Sequence, residues 1–125
     1  MNLNELKTAL EAATGPDTTL DLELFRHFNP NRNHYTWLHG RPCLYSLFEG
    51  GYRAVEPSTY TSSLDIAITL VPEGCIWLRK SPQAMTIVPV PDNDKEWAKH
   101  YEAAGATPAI ALCLARVNYE LENAS

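Results

Sequence analysis

Long apolar runs, a basic excess and closely spaced cysteines are all missing from this 125-residue chain, and each absence removes a class of function. No stretch approaches the roughly eighteen uninterrupted apolar residues that a membrane helix needs. Met1-Asn2-Leu3-Asn4-Glu5-Leu6 has neither the basic start nor the apolar core of an export signal, so no membrane partner and a cytosolic location are expected. Lysine and arginine number 10 against 15 acidic residues, a formal charge of −5. Long-range repulsion therefore disfavours coating a nucleic-acid duplex, although two or three local cations in one pocket can still hold a small nucleotide. Cys43, Cys75 and Cys113 are odd in number, widely spaced and set in apolar stretches, which fits buried thiols in a reducing compartment better than disulfides or a metal site.

What is present is the composition of a folded domain. Hydrophobic residues make up 45% and charged residues 20% of the chain. A globule of this length buries about two-thirds of the surface that its unfolded chain exposes, enough for one core. The nine prolines fall mainly between periodic segments, where they read as loop punctuation. No internal repeat or dividing linker appears, so residues 1–125 are read as a single domain.

Leu3, Leu6, Leu10 and Ala13 form a helical stripe that Asn2 or Asn4 can cap and that Gly15-Pro16 ends. Asp17 opens a second helix through Leu20, Leu24 and Phe28, stopped at Asn29-Pro30, and the two are expected to pair as a hairpin. Leu44–Glu49 and Tyr52–Val55 read as strands about Gly50-Gly51, with Tyr35–Leu38 as a further strand. Leu64, Ala67, Ile68 and Val71 predict a helix over Thr61–Val71, with Ser62 and Asp65 at capping-box spacing and Pro72 and Gly74 terminating it. Cys75–Leu78 and Met85–Val90 read as strands joined across Ser81-Pro82, with Pro89 suggesting a sheet edge or a bulge. Asp92–Ala104 is compatible with either a short helix or an extended edge. The last helix, Thr107–Leu121, has Thr107 as cap, Pro108 at its first position and Ile110, Cys113, Leu114, Val117 and Leu121 as its stripe.

Three stretches resemble a family of small bacteriophage and prophage proteins, the phage ABA sandwich domain. They are Leu10-Glu11-Ala12-Ala13-Thr14-Gly15-Pro16-Asp17 with Leu20-Asp21, Tyr60-Thr61-Ser62-Ser63-Leu64-Asp65 running to Leu70-Val71-Pro72-Glu73-Gly74, and Gly105–Ala115. The resemblance implies an α/β (α+β) three-layer α-β-α sandwich, with a small, mostly antiparallel sheet flanked by helices, and a life in the cytoplasm of an infected host. It carries no activity by residue, because its motifs coincide with helix caps and core stripes. Asn29–Pro57 is the region that departs most from the family pattern.

Catalytic and metal chemistry find little support. His27, His34, His39 and His100 lack an accompanying cysteine pair or carboxylate motif. Ser62 and Ser63 sit at a helix start without a nucleophile elbow, and capping already accounts for them. Asp65, Asp92 and Asp94 read as a cap acid and a loop pair. The unpaired amides at Thr61–Leu64 and Thr107–Ile110 are natural anion sites, aromatic rings can stack a base, and arginines can meet phosphates. The expected ligand-binding set is therefore Tyr60, Thr61, Ser62, Ser63, Arg41, Arg53, Trp37 and Thr107, with no metal and no cofactor. The reading that follows is a non-enzymatic counter-defence protein that sequesters a small nucleotide immune signal, its pocket closed at a homo-oligomer interface. The alternatives are an inhibitor or adaptor that binds a host defence protein, with the Trp37–Tyr52 region as its contact, and a small hydrolase of a nucleotide signal.

Overall fold

The computed structural model describes residues 1–28, 35–38, 41–48, 51–55, 59–90 and 100–123, with the strands between 35 and 55 described through their backbone pairing. The C-terminal helix α4, Pro108–Asn123, organises the rest. Thr107 Oγ1 accepts a hydrogen bond from the Ile110 amide at 3.2 Å, and Pro108 occupies the first turn, where its missing N–H removes no helix bond. Ala109 to Ala115 and Val117 are all buried.

Such all-round apolarity requires partners on several sides, and α4 has them. It packs on two strands of an antiparallel sheet and receives α1 and α3 against its other faces. Helix α1, Leu3–Ala12, begins at Asn2, not Asn4. Asn2 Oδ1 accepts from the Glu5 amide at 2.8 Å, and Glu5 Oε1 accepts from the Asn2 amide at 3.1 Å, a reciprocal cap. Its buried face is Leu6 and Leu10. Helix α2, Thr18–Phe28, starts where Asp17 Oδ1 accepts from the Leu20 amide, and it contacts α1 as the expected hairpin partner.

The helix predicted over Thr61–Val71 is shorter and capped one residue later. Helix α3 spans Leu64–Ala67 and tightens into a 3₁₀ turn over Ile68–Leu70. The cap is Ser63, whose Oγ accepts from the Ile66 amide, whereas Ser62 Oγ donates to the Thr59 carbonyl. The cause is Thr61: its amide and hydroxyl are both bound to Asp21, so the chain is held in a turn there and cannot enter the helix. Further on, Thr69 Oγ1 donates to the Ile66 carbonyl at 2.6 Å, a local bond that competes with the helix ladder.

The strands form two three-stranded antiparallel sheets. In the first, β1 (Tyr35–Leu38), β2 (Arg41–Phe48) and β3 (Gly51–Val55) lie in sequence order, with Leu38 opposite Arg41 and Phe48 opposite Gly51. In the second, β4 (Cys75–Ser81), β5 (Ala84–Pro89) and β6 (Tyr101–Ala104) do the same. Asp92–Ala104 thus ends in a strand, and residues 91–99 lie outside the described residues. Pro89 belongs to the central strand and not to an edge strand. It is tolerated because it ends β5 beyond the reach of β6, which pairs only from Ala84 to Ile87. The irregularity falls instead in β4, between Arg79 and Ser81. Met85, Ile87, Tyr101 and Ala103 join α4, α1 and α2 in one core. The architecture is the α+β sandwich that the sequence predicts, with helices packed on antiparallel sheet. Among the described residues no helix is long and apolar enough to cross a membrane.

Candidate functional site

The residues expected around the α3 start are drawn into the fold. Thr61 is fully buried, and its hydroxyl donates to Asp21 Oδ1 at 2.8 Å while its amide donates to the same oxygen at 2.8 Å. The Asp17 amide in turn donates to Thr61 Oγ1 at 2.8 Å. Tyr60 is buried beside it, and its carbonyl accepts from Cys113 Sγ at 3.6 Å. This cluster ties the start of α2, the entry to α3 and the middle of α4 together.

Its electrostatics follow from burial. Removal from water pushes the Asp21 carboxyl above the usual aspartate range, opposed by the two hydrogen bonds from Thr61 and reinforced by the negative charge of Asp17. Burial, and then the charge of Asp21, pushes the Cys113 thiol far above its ordinary value, which holds it protonated and non-nucleophilic. A hydroxyl and a carboxylate thus bind one another here, and the neighbouring thiol is taken up by the Tyr60 carbonyl. The arrangement is a structural staple.

The other expected residues separate. Ser63 is spent as the α3 cap and Thr107 as the α4 cap, while Ser62 remains exposed. Trp37 in β1 lies opposite Pro42, next to the pair of Leu38 with Arg41, and Arg53 in β3 lies opposite Ser46 of β2. The side chains of Trp37, Arg41 and Arg53 lie outside the described residues, as does most of the Trp37–Tyr52 contact region. Other cations are engaged: Lys80 pairs with Glu102 at 3.1 Å, and Arg116 pairs with Glu120 while its guanidinium lies 4.3 Å from the Phe28 ring centre. A shallow cleft of about 410 Å³ opens between α1, β6 and the end of α4, where Lys7 and His100 share the lining with Glu102 and Glu122. Those carboxylates work against phosphate binding.

The surface that the sequence did not disclose is β4. Ile76, Trp77 and Leu78 are 38%, 36% and 45% exposed, and Val90 just beyond β5 is 46% exposed. Their partners on β5, Val88, Ile87 and Thr86, are buried. The sequence shows three consecutive apolar residues, a pattern shared by a buried strand and an exposed edge, and periodicity cannot separate the two. β4 is the outer strand of its sheet, and among the described residues nothing pairs with its outer edge. Arg79 and Lys80 mark its far end, Arg79 donating to the Ser81 carbonyl. A row of main-chain donors and acceptors flanked by apolar side chains suits another polypeptide much better than a polyphosphate.

Comparison with family models, with curated proteins and with solved structures gives no match in any of the three.

Proposed function

We propose that this chain is a non-enzymatic accessory protein that works by binding another polypeptide along β4, in the manner of an inhibitor or adaptor. The observation that carries this reading is the exposure of Ile76, Trp77 and Leu78 on an outer strand with an open edge. Large apolar side chains exposed on both faces of an outer strand flank its open edge, which supplies directional hydrogen bonds to go with them, a combination suited to taking up another strand. The setting we assign, from the motifs that resemble the phage sandwich family, is counter-defence in the cytoplasm of an infected host. The nucleotide-sequestering alternative draws no support from the α3 start, where Thr61 is bound to Asp21 and Ser63 caps the helix.

The test is recovery of the tagged full chain from infected host cells, followed by denaturation and mass spectrometry of everything retained. A host protein in stoichiometric amount, with no nucleotide released, is the expected result. Stoichiometric release of an unchanged nucleotide without a protein partner would overturn the reading in favour of a sponge, and time-dependent loss of added nucleotide would overturn it in favour of a hydrolase.

A further inference from the structure

We propose that the polypeptide occupying the β4 edge in the isolated protein is a second copy of this chain, joined through an antiparallel β4–β4 seam centred on Trp77. The inference rests on the reading of β4 as a recognition strand and names its occupant.

Of the two outer strands in this sheet, β4 has seven residues and β6 only four, and β6 alternates buried with exposed positions while β4 is exposed from Ile76 to Ser81. The longer strand with an apolar segment is the one that calls for cover. A two-fold axis makes one patch serve both partners, which is the commonest way in which soluble chains pair.

Charge placement selects the register. With the axis at Trp77, Ile76 lies opposite Leu78 of the second copy, and the two Trp77 rings are neighbours on one face. Arg79 then falls opposite Cys75, and Lys80 opposite Gly74 and beside the exposed Glu73 of the second copy. Each cationic end meets the acidic turn of the other chain, where Glu73 shares Lys80 with Glu102 of the lysine's own chain, an exposed pair that leaves the ammonium half open to solvent. The two Lys80 positions are six residues apart along the seam, about 20 Å, well beyond the ~8 Å screening length of physiological salt. Moving the axis one residue, to Leu78, would set Arg79 against Trp77 and Lys80 against Ile76. It would also bring the two Arg79 positions within about 7 Å, inside the screening length. A parallel pairing would stack Arg79 on Arg79. Centring on Ile76 would also keep like charges apart but would set Leu78 against Gly74 and Trp77 against Cys75. Of the three antiparallel registers, only the Trp77-centred one pairs Ile76, Trp77 and Leu78 entirely among themselves while keeping like charges apart. A captured host strand reaches the edge by displacing the second copy.

Sedimentation of the purified full chain over a wide concentration range tests this. The wild type is expected to pass from one chain mass to two as concentration rises, whereas Leu78→Lys stays at one with an unchanged circular dichroism spectrum. Glu73→Lys, far from the core, is expected to weaken the dimer, and Glu73→Lys with Lys80→Glu to restore it. For the register, Trp77→Cys in a Cys75→Ser background is expected to cross-link between chains on mild oxidation, and Ile76→Cys in the same background is not. A wild type that remains a monomer throughout, or a dimer indifferent to Leu78→Lys, would overturn the inference. A monomeric wild type that still retains a host protein through β4 overturns this inference and leaves the proposed function standing. A dimer that retains no host protein supports the seam and overturns the proposed function.

Discussion

Asp21 places a carboxylate where only 4% of the residue meets solvent, and the energetic consequence is carried by Thr61. Replacing Thr61 by Val keeps the shape but removes a hydroxyl that donates to Asp21 and accepts from the Asp17 amide. Two buried polar groups then lose a partner, and a loss of about 1–3 kcal/mol in unfolding free energy is expected from urea titration. Burial raises the folded-state pKa of Asp21 above its ordinary 3.8, so the native state holds a proton that the unfolded chain releases. Stability from this group therefore falls as pH rises above 3.8, and the penalty is complete once the native carboxyl has also ionised. Asp21→Asn retains an acceptor for Thr61 and does not titrate. Its stability relative to wild type is expected to improve over the range in which pH rises above 3.8. A difference that stays constant across that range would contradict the account.

The serines at positions 62 and 63 separate the cap from its neighbour. Ser63→Ala is expected to cost about 1 kcal/mol through the lost α3 cap, while Ser62→Ala, which removes one exposed bond to Thr59, is expected to stay within about 0.5 kcal/mol. Thermal melts of the two variants side by side check the assignment.

At the scale of elements, local chemistry was legible wherever it was sufficient by itself. Asn2 with Glu5, Asp17, and Thr107 with Pro108 each set a helix start with groups three residues apart, and the sequence displays those groups directly. The α3 boundary was not legible, because the partner that holds Thr61 out of the helix is Asp21, forty residues away in the chain. The position of Pro89 depends on how far β6 extends along β5, again a distant fact. Gly105 adds a constraint of the same kind. A Cβ placed there would sit 3.0 Å from the Ala111 backbone nitrogen and 3.0 Å from Ile110 Cγ2, so it is the strand-to-helix turn itself that lacks room. Gly105→Ala is expected to destabilise the protein by about 1–3 kcal/mol, read by urea titration. Gly74, at φ +82° in the turn before β4, has open space around it, and Gly74→Ala is expected to cost about 1–2 kcal/mol through backbone strain alone.

For the whole molecule, the helices and strands were readable from the order of stripes, caps and turns and their arrangement as a sandwich from the family resemblance, whereas the candidate site was not. Tyr60, Thr61 and Ser63 stood out in sequence because polar groups cluster where a helix begins, and the fold uses that polarity internally. Ile76, Trp77 and Leu78 read as part of a strand whose apolar run fits a buried or an exposed position equally, and only the sheet order shows that nothing described pairs with the outer edge of that strand. A protein that hides its polar cluster and presents an apolar strand has the surface that the proposed contact with polypeptide requires. The most direct check is recovery from infected host cells with wild type and Leu78→Lys in parallel, each shown to be folded by its thermal melt. The wild type is expected to retain a host protein in stoichiometric amount, and Leu78→Lys to lose it at unchanged stability. Equal retention by both would contradict the assignment of β4 as the recognition strand.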